Sequence, residues 1–429
     1  MNLVNSALLG TAAVLTAAAG AQAADLPSRK AAPVAYVKIC DVYGRGFYYI
    51  PGTDTCLKVG GRIRFELGWR RAQNVSTTGT TLASAARTQD TLGWRSRAYV
   101  NMDARTQTAY GTVQTVLSIS LRSRSGIFNG GGNGAQGNTT ASPQVYAAYI
   151  RFAGFTFGRA PYVFSNGPGY IFYWTNWSGG SAIGTMQLAY TAVLGGGMSA
   201  TIALEDKSEF ATQNVTQPNR KPNIVLTLRA DQGWGFVRAS AAYGWTNTAT
   251  ATTTWEKSGW AVGADAKINM PMIARGDALY LRAAYGDGLL DYVTGGNLAN
   301  GSKAKDGRIT GGYQPGLTNF YTNSSAKAWS AMVAFTHFWS PTLRSNIAWS
   351  YLNIDLPASA GADYTGSRSW QASHQLVWSP TSGFDIGLEV YYAKITHDVS
   401  ATRAAALAAI GVKRNPDDMA VKLRVERTF

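Results

Sequence analysis

The carboxyl-terminal end of the chain alternates between apolar and polar residues. One set comprises Met419, Val421, Leu423, Val425, Arg427 and Phe429, and the other comprises Ala420, Lys422, Arg424, Glu426 and Thr428. A period of two over about ten residues is typical of a tilted β-strand that crosses a hydrocarbon layer, with lipid on one face and water on the other. The alternative is an edge strand of a soluble sandwich, which has the same period.

Similar alternating segments recur along the chain, and they predict sixteen strands. The predicted strands cover residues 57–71, 90–103, 108–121, 143–153, 154–160, 184–193, 198–206, 222–231, 234–246, 257–269, 277–287, 327–338, 342–354, 368–379, 383–396 and 418–429. Short links at 102–108, 153–154, 194–197, 231–233, 270–276, 339–341 and 380–383 alternate with long polar stretches such as 123–142, 287–326 and 398–416. Short turns at one rim and long loops at the other are typical of a transmembrane β-barrel.

Aromatic residues are concentrated near both ends of the predicted strands, where a barrel carries its aromatic girdles. Those near the short turns are Trp234, Phe236, Phe338, Trp339, Trp378, Phe384 and Phe429. Those near the long loops are Trp69, Trp245, Trp260, Trp329, Tyr351 and Trp370. This distribution at two levels favours a membrane barrel over a soluble sandwich.

The amino-terminal end predicts export. Residues 1–23 contain an apolar run from Ala7 to Ala19 and end in Ala21-Gln22-Ala23, which is the pattern of a signal peptide with its cleavage site. No Lys or Arg precedes the apolar run, which departs from that pattern. Later in the chain no apolar run approaches the roughly twenty residues that a transmembrane helix needs. An exported chain of this kind is either soluble or spans a membrane as a barrel.

Composition also favours a barrel. Charged residues make up 15% of the chain, compared with about 25% in a typical globular protein. The two cysteines, Cys40 and Cys56, predict one disulfide because exported proteins form disulfides readily, although two inert buried thiols are the alternative. We therefore predict a signal peptide at 1–23, an amino-terminal periplasmic segment with the disulfide at 24–56, and an all-β antiparallel barrel at 57–429.

Several motifs resemble the porins of alphaproteobacteria. They are Ala24-Asp25-Leu26-Pro27, Cys40 to Gly44, Gly46 to Arg62, Phe155 to Ala160 and the terminal Phe429. The resemblance implies an integral outer-membrane barrel of sixteen strands that forms a homotrimer, with its third external loop folded into the lumen. It also implies passive diffusion of small hydrophilic solutes and ions, and recognition of Phe429 by the barrel-assembly machinery.

Alternation along the first two strands predicts which residues face the lumen. They are Lys58, Arg62, Arg64, Glu66 and Arg70 on the first strand, and Arg95, Arg97, Tyr99 and Asp103 on the second. Because consecutive strands are neighbours in such a barrel, Arg62, Arg64, Arg95 and Arg97 should form one basic patch that nearby acids do not balance. The alternative is that these arginines only pair with lumen carboxylates. The resemblance also implies that Arg159 belongs to this basic patch, because it matches the constriction arginine of the porins.

The predicted strand 154–160 covers only half a membrane crossing, and the loop 161–184 follows it. A loop that leaves the wall at mid-height must fold into the lumen, because lipid cannot satisfy its backbone groups. The loop has no charged residue, whereas the porins usually place acids here. Its aromatic residues are Tyr162, Phe164, Tyr170, Phe172, Tyr173, Trp174 and Trp177. They either pack the loop against the wall, which we favour, or form a track for sugars or aromatic solutes.

No motif for an enzyme, a cofactor or a metal stands out. The three histidines, His337, His374 and His397, are not spaced as a metal pair, and no nucleophile elbow or nucleotide-binding glycine motif is present. The net charge of +15 indicates contact with lipopolysaccharide and an anion-attracting lumen rather than binding of nucleic acid. The sequence thus predicts a porin with weak anion preference. A solute-specific channel and a surface adhesin or structural barrel are the alternatives.

If Phe429 is the assembly signal, its deletion should impair assembly. Less folded barrel should reach the outer membrane, and the loss is measured by comparing unboiled and boiled membrane samples on gels. Phe384, near the preceding short turn, gives a matched control as Phe384→Leu. Equal amounts of folded barrel with and without Phe429 would contradict this role.

Overall fold

The computed structural model describes residues 38–71, 75–78, 81–84, 91–128, 139–165, 184–206, 221–249, 254–294, 320–321, 324–357, 364–409, 415 and 417–429. Nearly all of these residues lie in one sheet of antiparallel strands. Each long strand pairs with the next along the chain.

We number the barrel strands β1 to β16. They are β1 Cys56–Arg70, β2 Leu92–Thr108, β3 Gly111–Arg124, β4 Thr139–Phe152, β5 Phe155–Ala160, β6 Thr185–Gly195, β7 Met198–Glu205, β8 Asn223–Gln232, β9 Gly235–Ala249, β10 Thr254–Asn269, β11 Ala278–Asp287, β12 Lys327–Ser340, β13 Leu343–Asp355, β14 Tyr364–Thr381, β15 Phe384–Val399 and β16 Asp417–Thr428. The smaller elements are strands at Tyr48–Tyr49, Val75–Thr78, Thr81–Ser84, Phe320–Tyr321 and Ser324–Ser325, 3-10 turns at Asp41–Tyr43 and Gly126–Phe128, and helices α1 Asp291–Thr294 and α2 Ala401–Ala409.

The sheet closes on itself. β16 pairs antiparallel with β1, from Arg62 opposite Thr428 to Arg70 opposite Ala420. Phe429 extends this pairing, because it exchanges backbone hydrogen bonds of 3.0 and 2.9 Å with Gly61. The predicted sixteen-stranded barrel is confirmed, including the short strand β5.

One predicted turn is wrong. The link predicted at 102–108 is part of β2, and the turn lies at residues 109–110, between Thr108 and Gly111. Asp103 accepts hydrogen bonds from Arg105 and from Gln114 of β3. These polar residues, which look like a turn in the sequence, form the inner face of the β2–β3 hairpin.

The last long stretch, predicted as a polar loop at 398–416, contains helix α2. Its sequence is rich in alanine, the strongest helix former. Within the described residues, no helix has both the length and the apolar character needed to cross a membrane.

Alternation separates an apolar outer face from a polar inner face. Large apolar side chains such as Ile63, Trp94 and Leu188 are 48%, 49% and 43% exposed, as residues facing a hydrocarbon layer would be. The girdle prediction is wrong for two residues. Phe236 and Phe338 alternate onto the inner face, because a position near a turn does not decide which face a side chain occupies.

The segment before β1 covers part of the short-turn rim. Cys40 and Cys56 form the predicted disulfide. The guanidinium of Arg105 lies 5.5 Å from the ring of Tyr43 and 5.0 Å from that of Phe47. Because Arg105 belongs to the inner face of β2, residues 38–55 pack at the mouth of the lumen.

Gly158 lies in β5, two residues before the strand ends at Ala160 and the loop begins. Its φ of +111° is a conformation that other residues rarely adopt, and a Cβ here would lie 2.4 Å from the carbonyl oxygen of Ala148 on β4. Glycine therefore lets β4 and β5 stay paired up to the point where the chain enters the lumen.

We expect Gly158→Ala to lower the stability of the folded barrel by ~1 to 3 kcal/mol, because the new methyl group clashes with backbone and the φ is strained. The measurement is the temperature at which the unboiled band converts to the boiled one. Gly233→Ala is the matched control, since a Cβ at Gly233 has nothing within 4 Å. If both variants convert at the wild-type temperature, Gly158 has no special role.

Candidate functional site

The four predicted arginines lie together on the inner face of β1 and β2. Arg64 pairs with Arg97, and Arg95 pairs with Glu66. The intervening residues Ile63 and Trp94 point outward, as their exposure shows. The ladder therefore places the four guanidinium groups on one part of the wall, although their role in conduction stays a prediction.

The register adds four basic residues that the sequence analysis did not include. Arg122 and Arg124 of β3 pair with Arg97 and Arg95, and Lys422 and Arg424 of β16 lie beside β1. We call these eight residues the basic wall: Arg62, Arg64, Arg95, Arg97, Arg122, Arg124, Lys422 and Arg424. Arg122 and Arg124 were missed because the third strand was predicted to end at 121. The alternation on the last strand, together with the pairing of that strand with β1, would have identified Lys422 and Arg424.

Glu66 lies at the centre of the basic wall. Its side chain is fully buried, and its two carboxylate oxygens accept bonds from Arg95 Nε at 2.6 Å and Arg424 Nη2 at 2.7 Å. Lys422 Nζ lies 3.9 Å from Glu66 and 3.1 Å from Glu389 of β15. One carboxylate thus joins β2, β1 and β16 through the lumen side chains.

A second acid, Glu426, pairs with Arg64 and lies 3.8 Å from Arg62. The expectation that nearby acids do not balance the patch is therefore only partly right. Five of the eight basic side chains contact three carboxylates, those of Glu66, Glu389 and Glu426; these five are Arg62, Arg64, Arg95, Lys422 and Arg424. This group of five cations and three acids has a positive excess, and its charges are held in ion pairs.

Arg62 is the most accessible of the four predicted arginines. Its side chain is 37% exposed, compared with 13% for Arg64 and 3% for Arg95. Its guanidinium carbon lies 4.1 Å from the ring centre of Tyr99, whose hydroxyl accepts a hydrogen bond of 3.1 Å from Arg97. Tyr99 therefore supports Arg62 from behind and leaves its charge open to the lumen.

The loop after β5 enters the lumen, as predicted, over the residues 161–165 that the structure describes. Its backbone contacts the inner faces of successive strands. The amide of Val163 donates to Glu205 of β7 at 3.2 Å, Thr227 of β8 donates to the Val163 carbonyl at 3.2 Å, and Ser240 of β9 donates to the Phe164 carbonyl at 2.9 Å. Tyr162 and Phe164 are 8% and 2% exposed, so both side chains support the loop rather than line open water.

Four other predicted site residues, Tyr170, Tyr173, Trp174 and Trp177, lie outside the described residues. Arg159 is described, and it pairs with Ala148 of β4 and Met186 of β6. Strand β4 separates it from β3, the nearest strand of the basic wall. Its membership of the constriction stays a prediction.

A second segment, residues 288–294, also lies inside the barrel. The sequence analysis did not predict this position. Leu290 and Val293 are fully buried, and Tyr292 is 2% exposed. They form one apolar cluster with Phe164 and with inner-face residues of β7 to β13. The long link was predicted as polar, and the short apolar stretch Leu289-Leu290 and Tyr292-Val293 is the signal that could have revealed it.

A second row of charged residues crosses the inner face of the barrel from β8 to β11. Arg229, Arg238, Asp265 and Arg282 pair in sequence from β8 to β11. Arg238 Nη2 lies 2.6 Å from Asp265, and Arg282 Nη1 donates to Ser165 Oγ at 2.6 Å. Arg282 is thus a wall residue that holds the first loop.

Chemically, the inner face of the barrel offers charged and hydrogen-bonding groups. Among the described residues, no group of three or more His, Cys, Asp and Glu side chains is placed to hold a metal ion. The arrangement can attract and guide a hydrated anion past Arg62, and its wall is held rigid by Glu66 and Glu426.

We expect Glu66→Gln to lower the stability of the barrel by ~3 to 5 kcal/mol, because it leaves buried cations on two other strands, β2 and β16, without their shared carboxylate. The temperature of band conversion on gels measures this loss. Glu256→Gln removes an acid from an exposed pair with Lys221 and should have an effect of ~1 kcal/mol or less. Equal shifts in the two variants would show that Glu66 is no more important than a surface acid.

Comparison with known proteins is consistent with this geometry. The "Porin subfamily" family model matches residues 25–420. Porin Omp2a of Brucella ovis is 32% identical over 253 residues, which are 56% of this chain and 70% of that protein. Porin Omp2b of Brucella suis biovar 1 is 35% identical over 250 residues, 56% of this chain and 66% of that protein.

The outer-membrane channel DcaP of Acinetobacter baumannii has a similar fold, with a TM-score of 0.63 at 16% identity over 89% of this chain and 99% of that one. The family match covers residues 25–420 of the 429-residue chain, and the fold is a closed antiparallel barrel. The chain therefore belongs to the porin subfamily and is an integral β-barrel of the outer membrane.

Proposed function

We propose that the barrel is a passive aqueous channel for small hydrophilic solutes and ions, with a weak preference for anions. The observation that carries this proposal is the basic wall on the inner face, where five basic side chains contact three carboxylates. A sixteen-stranded barrel encloses a lumen wide enough for water. The infolded residues 161–165 narrow that lumen from the other side.

The preference is weak because most of the wall's charge is already paired. Arg95 and Arg424 share Glu66, and Arg64 pairs with Glu426. Arg62 is the most exposed of the four arginines predicted on β1 and β2, so its field is the one that a passing ion meets most directly. That field is screened over about 10 Å at 0.1 M salt, so the preference declines as the salt concentration rises.

The buried positions of Tyr162 and Phe164 support general diffusion over an aromatic track. A solute-specific channel would show saturable block of ion current by its solute. A structural barrel or adhesin would show negligible conductance after reconstitution.

For partners, we propose a homotrimer, contact with lipopolysaccharide, and assembly by the barrel-assembly machinery. An aromatic cluster on the outer face of the short strand β5 supports a subunit contact there. The ring centres of Phe155 and Phe157 are 5.7 Å apart, and those of Phe155 and Tyr190 are 4.8 Å apart.

The proposal predicts that Arg62→Ala lowers the ratio of chloride to potassium permeability in dilute KCl. The reason is that the variant removes the most exposed positive charge of the four predicted arginines. The measurement is the reversal potential of reconstituted channels in a salt gradient.

Arg275→Ala is the matched control, because Arg275 is an exposed arginine in the turn between β10 and β11. It should leave the reversal potential unchanged. Clear cation preference in the unmodified channel would refute the proposed selectivity, and absence of conductance would refute the channel itself.

A further inference from the structure

We infer that residues 288–294 form a second constriction element, and that Tyr292 is the positioning residue that ties it to the first loop. This inference rests on the proposed channel function. The second constriction element limits the size of the solutes that pass, whereas the basic wall determines the charge preference.

The second element is built into the lumen side of the wall. A Cβ on Gly259 would lie 2.5 Å from the backbone of Gly288, and one on Gly286 would lie 2.9 Å from Val293. Ser330 of β12 donates to the carbonyl of Val293 at 2.8 Å. These small inner residues leave the room that the segment occupies, so it belongs to the fold and narrows the lumen at this side.

Tyr292 makes the central contacts between the two elements. Its ring centre lies 5.0 Å from that of Phe164 and 6.2 Å from that of Tyr162. Its hydroxyl donates to Glu205 Oε2 at 2.8 Å and accepts from Asn223 Nδ2 at 3.2 Å. Burial and the adjacent carboxylate raise the pKa of Tyr292 well above its usual range, so the hydroxyl remains a donor at neutral pH.

Two wall residues hold both elements at once. Glu205 accepts from the Val163 amide through Oε1 and from Tyr292 through Oε2. Arg282 donates to Ser165 Oγ at 2.6 Å and to the Tyr292 carbonyl at 3.1 Å. Because each anchor touches both segments, displacement of one segment removes bonds from the other.

The first loop retains other anchors when Tyr292 is altered. Gln187, Thr227 and Ser240 still donate to the backbone carbonyls of Pro161, Val163 and Phe164, respectively. Loss of the Tyr292 hydroxyl should therefore loosen the constriction without releasing it. The channel should then alternate between its normal width and wider states.

The test is Tyr292→Phe, which keeps the ring packing and removes only the hydroxyl. We expect the fraction of time in wider, noisier conducting states to rise roughly two- to ten-fold for each of the two hydrogen bonds that the hydroxyl makes. Single-channel recording measures this fraction, and liposome swelling with sugars of increasing mass measures the exclusion limit. Glu205→Gln should cause a similar change, and the double variant should add little to it.

Tyr285→Phe is the matched control. Tyr285 lies on β11 beside Val262 of the outer face, with its ring 5.5 Å from that of Trp260. Single-channel recordings of this variant should show the same current noise as the wild type.

The inference is overturned if Tyr292→Phe keeps the wild-type noise and exclusion limit, whether or not its thermal stability falls. Failure of the channel proposal is distinguishable, because it appears as absent conductance in the wild type.

Discussion

The structure depends on one constraint, that every backbone N–H and C=O group within the hydrocarbon layer needs a partner from the chain itself. A closed ladder of antiparallel strands meets this requirement, and the pairing of β16 with β1 removes the last free edges. The same constraint determines where irregular segments go. Residues 161–165 and 288–294 leave the ladder, and both turn inward, where inner-face side chains bond to their backbone. The narrowing of the channel is therefore a consequence of closing the wall.

The inner face divides into two kinds of surface. β1, β2, β3 and β16 carry long basic side chains with their carboxylates, whereas the corresponding positions of β9 to β12 are small, such as Ala242, Ala261, Ala284 and Ala328. Long charged residues project toward the water path, and small residues accept an infolded segment. Alternation alone does not distinguish these roles, because both sets have the same period. Small inner residues leave room for the infolded segments, and Glu205 and Arg282 on the same side of the barrel bond to them.

Much of this arrangement was predictable, because the alternation of inner and outer residues depends only on neighbouring positions in the sequence. The sixteen strands and the inner positions of Arg62 and Arg97 follow from the period of two, and the entry of the loop after β5 follows from the short length of that strand. What could not be predicted depends on contacts between distant residues. Tyr292, for example, bonds to Glu205, which lies 87 positions away along the chain. The turn misplaced at 102–108 was a local error, since charged residues on an inner face resemble those of a turn.

The position of Glu66 has a consequence for how the channel forms. Its partner Arg424 is 358 residues away in the chain, so the carboxylate and guanidinium meet only when the last strand joins the first. Bringing such distant residues together is slow, because chain entropy opposes it until many contacts form at once. Before that step, the cations of β1 and β2 lack part of their counter-charge and repel one another, which disfavours an open, half-built sheet. The basic wall thus comes into being together with the finished cylinder, and a barrel that fails to close also lacks the charge pattern of a working pore.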